Sequence, residues 1–437
     1  MSLPPAPYRL WPAIAVTFIT GLGFTSLKMT LITELGLAFD PAQIAQLPFA
    51  WMREVMTTCY EKGLVTEAIS QGLAAVLTLG VFTGFLINSP LAGAWRAAPM
   101  FAWSCAVVAA LAVGTILMNP WPLALLVGTA YGAACAARGK VIPLLAEGTG
   151  RHNTFVSGVI NAALVVGLLA GTVAGMVLGQ VFVGAIKEGV KVEAMVPMPW
   201  VAHALIAGIF LVGLPIALRV RTPACQVIPF ADGMRHLQRD TWDTLRRHWA
   251  LLVGGGLIWG VASAASLSVL IWGIQELGMK PAEAASIAVF AAIGAIIGNL
   301  VSDRMNRRSL VIVSLLVLAG GMMGVKWLMV GYWSSAVSMI MVGASFAAPA
   351  NVLDARLLHL TNEEGVPGRG STVMSLIHNA FILVVGVGLA VPLFLGVIEA
   401  YGQFLILAGF TLAAVVVVLF AELRTTGGTT RVLKSVR

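Results

Sequence analysis

Apolar residues fill this chain in long blocks, interrupted by short polar or Pro- and Gly-marked breaks. The blocks cover about residues 11–38, 71–93, 98–119, 121–138, 154–183 and 200–219, then 249–275, 281–301, 309–331, 333–353, 371–397 and 402–422. About 20 apolar residues in a helix span the hydrocarbon core of a bilayer. A spanning segment must satisfy its own peptide groups, and these runs are too long and continuous for barrel strands. The pattern therefore predicts an all-α polytopic membrane protein with about twelve transmembrane helices. One break stands out: Arg219 to His248 is charged, carries Pro223, Pro229 and Gly233, and ends in an amphipathic run from Met234 to Trp249. It divides the chain into a six-helix bundle over 1–219, a linker over 220–248 and a second six-helix bundle over 249–437. A second long break, Asp40 to Gln71, is net acidic with apolar residues around Trp51, Met52, Met56 and Tyr60. It reads as a short helix outside the membrane that serves as a lid or as the surface for a protein partner, or as an extended, solvated helix end.

Composition sharpens this picture. Of 437 residues, 59% are hydrophobic and 11% charged, where a soluble chain carries roughly 25% charged residues. The net charge of +8 could signal nucleic acid, so the placement of the basic residues decides. With the amino terminus inside and twelve spans, 20 of the 27 Lys and Arg fall on the cytoplasmic side, six fall outside and Lys28 lies within a span. The positive-inside rule predicts that bias and sets both termini in the cytoplasm. It leaves no support for nucleic-acid binding. The first apolar block contains a lysine and lacks a small-residue cleavage site, so it reads as a retained helix. Cys59, Cys105, Cys135 and Cys225 have neither paired nor metal-ligand spacing and read as free thiols, with no metal site and no cofactor expected. Phosphate-binding loops of the Gly-x-x-x-x-Gly-Lys-Ser/Thr type, His-Glu-x-x-His pairs and Gly-x-Ser-x-Gly elbows are all missing, which argues against an enzyme.

Polar residues inside the blocks are the candidate site. A lysine at mid-helix is disfavoured by roughly 2.5–3.5 kcal/mol on insertion scales, so Lys28 should face a cavity, a pairing partner or a bound anion. Asn161 in the fifth helix and His378 and Asn379 in the eleventh hold comparable depths. They suggest one shared cavity, although asparagines at such depths also tie helices together. His378 could relay protons or simply pack. Arg138 and Lys140, at an inner helix end, could hold a phosphate or anchor the topology. Asp303, Asp354 and His378 are the ionisable candidates for ion coupling. The glycine cluster Gly167, Gly171 and Gly175 puts small residues on one helix face, which permits close helix packing.

The loop Asn299-Leu-Val-Ser-Asp303-Arg304-Met-Asn306-Arg307-Arg308 resembles the signature loop of the major facilitator superfamily, Gly-x-x-x-Asp-Arg-x-Gly-Arg-Arg. Asn299 and Asn306 occupy its glycine slots. The resemblance implies two six-helix parallel repeats around a central site, with Asp303, Arg304, Arg307 and Arg308 as a cytoplasmic latch; the arginines could equally be topology anchors. The matching first-half loop, Asn88 to Arg96, has no acid.

Further stretches resemble bacterial lysophospholipid transporters of the inner membrane. Phe18-Ile-Thr-Gly-Leu22-Gly23-Phe24-Thr25-Ser-Leu-Lys28 is similar to Phe-x-x-x-Leu-Gly-Asp-Asn-x-x-Lys, with Phe24 and Thr25 replacing the Asp-Asn pair. Ala137-Arg138-Gly139-Lys140-Val-Ile-Pro143-Leu-Leu is similar to Ala-Lys-Tyr-Gly-Ile-Leu-Pro-Glu-Leu. Ser157-Gly158-Val-Ile-Asn161 stands where that family reads Asn-Gly-Leu-x-Glu. Phe346-Ala-Ala-Pro349-Ala-Asn351-Val-Leu resembles Phe-x-x-Pro-x-Asn-x-Leu, and Thr372 to Asn379 keeps Val373 and Asn379 of a further motif. The resemblance implies movement of a lysophospholipid or similar amphiphile among membrane lipids, with Lys28, Thr25, Arg138, Asn161, Asn351, His378 and Asn379 as substrate-binding residues. The replaced acids leave two alternatives open. One is a transporter of another small anion or amphiphile. The other is a transporter-fold scaffold that has lost transport and binds a partner through 40–71.

Overall fold

The computed structural model describes residues 8–38, 44–45, 50, 53–54, 57, 65–94, 97–114, 120–151, 153–187, 190–223, 229–279, 281–305, 307–363, 369–394 and 398–421. Twelve long helices are present among them. The first six are α1 (Trp11–Ala38), α2 (Val65–Ala94), α3 (Ala97–Gly114), α4 (Pro120–Thr149), α5 (Asn153–Leu178) and α6 (Pro199–Ala217). The second six are α7 (Phe230–Gln275), α8 (Pro281–Val301), α9 (Arg308–Met323), α10 (Tyr332–Glu363), α11 (Arg369–Phe394) and α12 (Ala400–Phe420). A π-helical turn, Gly179–Val183, ends α5 and leads into an antiparallel hairpin, β1 (Ala185–Lys187) with β2 (Val190–Val192).

Eight of the helices are long and apolar enough to cross a membrane, and α8, α9 and α11 contain shorter apolar stretches. In the remaining helix, α4, Gly128 and Gly132 pack against the backbone of α2. Large apolar side chains such as Trp103, Leu211, Val212, Leu300 and Val416 are more than half exposed on the outside of the bundle, the surface that lipid covers. The chain is a multi-pass membrane protein.

The helix pairing carries a two-fold repeat. In the first half α1 packs on α5, α2 on α4 and α3 on α6; in the second α7 packs on α11, α8 on α10 and α9 on α12. Adding six to each helix number converts one set into the other. The halves meet through α5 on α8 and through α11 on α2, which the same operation interchanges. Local chemistry repeats as well. Ser104 of α3 donates to the Ala130 carbonyl of α4 at 2.8 Å, and Ser314 of α9 donates to the Ser345 carbonyl of α10 at 3.1 Å. Ser345 lies four residues before Pro349, which has no N–H for that carbonyl, so the α9 serine supplies the missing donor.

Glycines let these pairs approach closely. Cβ atoms added at Gly167, Gly171 and Gly175 of α5 would collide with the carbonyls of Phe18, Leu22 and Ser26 on α1. Ser26 and Thr30 return hydroxyl bonds to the Gly171 and Gly175 carbonyls at 3.2 and 3.4 Å. At the far end of α1, Glu34 pairs with His203 of α6 at 2.5 Å. Helix α1 is thus held on two sides, which fixes the direction of its remaining face.

Residues 230–247 are helical and run into the seventh span, with a kink at His248 (φ −126°, ψ 28°). Helices α2, α4 and α10 begin or end beyond their apolar blocks, at Val65, Thr149 and Glu363. Most of the 40–64 segment, including the expected outer helix and partner surface, lies outside the described residues.

Candidate functional site

A cavity of about 310 Å³ lies between the two halves, walled by residues of α1, α2, α4, α5, α7, α8, α9, α10 and α11. Most of its wall is apolar, with Leu77 and Val81 from α2, Leu164 and Leu168 from α5, Met339 and Val342 from α10 and Ile382 from α11. Against that background stand two cations of the first half, Lys28 and Arg138, and an acid–imidazole pair of the second, Asp354 and His378.

Lys28 is aimed by its helix. Leu27 and Leu31 are fully buried in the bundle, and Ser26 and Thr30 are turned to α5, so the remaining face of α1 meets the cavity. No hydrogen bond or ion pair links Lys28 to another described residue, and the same holds for Arg138 within 4 Å. Next to them Phe24 stacks on Tyr131 at 4.1 Å between ring centroids and 9° between planes. Pro143 of α4 cannot donate to the carbonyl of Gly139, and Gly139 lines the cavity; this frees a backbone acceptor beside Arg138.

Asp354, 2% exposed, is reached from two neighbouring helices. Its Oδ2 accepts the indole N–H of Trp259 on α7 at 3.2 Å, and its Oδ1 lies 3.4 Å from Nε2 of His378 on α11. Trp259 is held in turn by an edge-on contact with Phe346, at 5.4 Å and 86°. Room for the pair comes from Gly255 of α7, where an added Cβ would come within 2.9 Å of the His378 Nε2.

Of the sequence candidates, Lys28, Thr25, Arg138, Asn161, His378 and Asn379 all line this cavity. Three of them bond within their own helices: Thr25 donates to the Gly21 carbonyl at 2.9 Å, Asn161 to Ser157 Oγ at 3.2 Å and Asn379 to the Ser375 carbonyl at 2.8 Å. Asn351 is elsewhere. It is 2% exposed and donates to Ser302 Oγ at 2.8 Å, while Ser302 donates to the Asn299 carbonyl at 2.7 Å. Asn351 therefore pins the signature loop to α10. In that loop Ser302–Met305 is a 3₁₀ turn; Arg304 and Arg307 are exposed and Arg308 is half-buried. The Asp303 side chain and Asn306 lie outside the described residues.

The site also contains residues that motif reading did not pick out. Trp259 and Tyr131 sit in ordinary apolar stretches and give no local signal. Asp354, an ion-coupling candidate from the sequence, does give one, as an acid embedded in the apolar run of α10, but its indole and imidazole partners are distant in sequence.

This architecture, a pseudo-two-fold pair of six-helix bundles enclosing one interfacial cavity, is the fold of major facilitator transporters. Two solved structures of that kind align with nearly the whole chain. The human organic anion transporter MFSD10 (TETRAN) matches with a TM-score of 0.59 and 15% identity, over 95% of this chain and all of that one. The major facilitator superfamily transporter FucP, in the outward conformation, matches with a TM-score of 0.56 and 14% identity, over 95% of this chain and 99% of that one. No protein-family model matches the sequence, and no curated protein does.

Proposed function

We propose that the chain is a major facilitator transporter that moves an amphiphile with an anionic head group, by resemblance a lysophospholipid, across the bacterial inner membrane by alternating access. The observation that carries this reading is the pair of cations, Lys28 and Arg138, without ion-pair partners among the described residues in an otherwise apolar cavity between the halves. Holding such charges in an apolar cavity without a close partner is costly, and an anionic group offers that partner with charge-assisted hydrogen bonds. The Gly139 carbonyl adds an acceptor for a hydroxyl or amine on the same head group.

The apolar remainder suits an acyl chain. A smaller pocket of about 60 Å³ adjoins Lys28 between α2, α7 and α11, and Ile382, Leu383, Val387 and Leu389 line it. Val387 is 43% exposed on the outside of the bundle, so this route leads from Lys28 past Thr78 and Ser263 to apolar groups at the lipid-facing surface. The charge bias of the sequence supports an orientation with the end of the bundle bearing Arg304, Arg307 and Arg308, and both termini, at the cytoplasm. Purified protein in vesicles is expected to translocate labelled lysophosphatidylglycerol or lysophosphatidylethanolamine faster than empty vesicles. Flux no faster than in empty vesicles for both lipids would sink the lipid assignment.

A second reading, transport of a different organic anion, has support from the name of one structural neighbour, an organic anion transporter, and from the same two cations. A panel of single-chain anions without a glycerophosphate separates the two, since the lipid reading expects those anions to be poor competitors.

A further inference from the structure

Asp354 is difficult to explain as part of an anion site. It is the single carboxylate among the described residues lining the cavity, and a fixed negative charge there repels an anionic cargo. Its surroundings, taken helix by helix, are these: α1 contributes Lys28; α4 contributes Arg138 and the weak acids Tyr131 and Cys135; α11 contributes His378; α7 contributes the indole of Trp259. Helices α2, α5, α8 and α9 line the cavity without a titratable side chain among the described residues.

Two features set the acid–imidazole pair apart from a packing contact. His378 Nε2 is buried and makes no hydrogen bond to a described residue; it faces Asp354 Oδ1 at 3.4 Å, close enough for an ion pair yet outside hydrogen-bond geometry. The space around both atoms is kept open by Gly255, whose missing Cβ would lie 2.9 Å from that nitrogen and 3.4 Å from that oxygen.

Across the cavity stand Lys28 and Arg138 of the first half. When an anion docks on Lys28 and Arg138, a second negative charge arrives in the cavity that holds Asp354. A buried carboxylate left in that position is relieved by taking up a proton.

We propose that Asp354, with His378 as its proton relay, is the coupling site of the transporter and loads a proton together with each anionic cargo. This rests on the transport reading above. The step is a protonation alone: a proton from water passes by way of His378 to a carboxylate oxygen, one O–H bond forms, and release of the cargo reverses it. Because the pair belongs to the second half and the cations to the first, rocking of the halves exposes cargo and proton to the same side together.

The test uses the purified protein in vesicles with labelled lysophosphatidylglycerol as probe and a pH dye inside. Wild-type protein should acidify the interior as the probe enters, and an inward proton gradient should drive the probe to accumulate. Asp354→Asn should abolish both, leaving the probe flux the same with and without the gradient, while Asp354→Glu, which keeps a carboxyl, should restore coupling. Probe flux without proton movement in the wild type would overturn the proposal, as would coupled flux in a folded Asp354→Asn protein. Loss of gradient-free flux in that folded variant would make Asp354 a cargo ligand and overturn it equally. If the Asn variant does not fold, the Glu variant decides, uncoupled flux there being the adverse result. Absence of all probe flux in the wild type would overturn the transport reading itself, and this inference with it.

Discussion

Lys28 and Asn351 show how differently two polar residues of membrane helices, of similar sequence promise, can behave. Lys28 has its neighbours Ser26 and Thr30 committed to α5, so its ammonium is left to the cavity. A charge-assisted hydrogen bond contributes about 1.5–3 kcal/mol, and each 1.4 kcal/mol is about tenfold in affinity. Lys28→Ala is therefore expected to weaken probe binding at least tenfold in equilibrium titrations, with thermal stability unchanged or raised, because a charge without a close partner is removed from an apolar cavity. Unaltered affinity would remove Lys28 from the site. Asn351 instead bonds Ser302 of the signature loop. Asn351→Ala should lower stability by about 1 kcal/mol in thermal unfolding while affinity for the probe stays as in wild type. Sequence made the first residue legible, because a lysine in an apolar helix needs an external partner wherever it points. It could not assign the second, since an asparagine serves a cavity or a neighbouring helix equally well until the neighbour is known. The same limit hid Trp259, which becomes part of the site only through Asp354, 95 residues away.

At the scale of elements, spacing carries the argument. Gly167, Gly171 and Gly175 recur every four residues, which places them on one face of α5, and the structure puts α1 against that face. A side chain added there has no free space. Gly171→Val is expected to destabilise the protein by about 1–3 kcal/mol through overpacking, read as a lower unfolding temperature in detergent. Gly208 of α6 is the control: nothing lies within 4 Å of its added Cβ, so Gly208→Ala should be neutral or stabilising by up to about 1 kcal/mol from helix propensity. Equal losses in both would mean that α1 and α5 do not depend on close approach. Helix ends were less legible than helix faces. Hydropathy stops where polar residues begin, at Arg138 in α4 and Asp354 in α10, yet the backbone ladder continues to Thr149 and Glu363. Those polar residues line a cavity inside the helix bundle rather than marking a turn, so the apolar run ends well before the helix does.

For the molecule as a whole, the proposed alternating access requires the halves to part at one end while they close at the other, and it names the contact that would break. At the end bearing Arg304, Arg307 and Arg308, α5 meets α8 and α10: a Cβ at Gly158 would lie 3.8 Å from the Asn299 Cβ and 3.2 Å from Asn351 Nδ2. Disulfides have a mean Cβ–Cβ separation of about 3.8 Å, so Gly158→Cys with Asn299→Cys, in a background lacking the native cysteines, is placed to cross-link the halves without moving the backbone. Oxidation is expected to stop probe flux, and a reductant to restore it. Because the bond closes one end alone, the oxidised protein should still bind the probe in detergent with affinity near that of the reduced form, which separates a locked carrier from a damaged site. Full cross-linking with undiminished flux would show that the halves do not separate at α5 and α8, and the alternation would then have to occur across the other symmetric contact, α11 on α2.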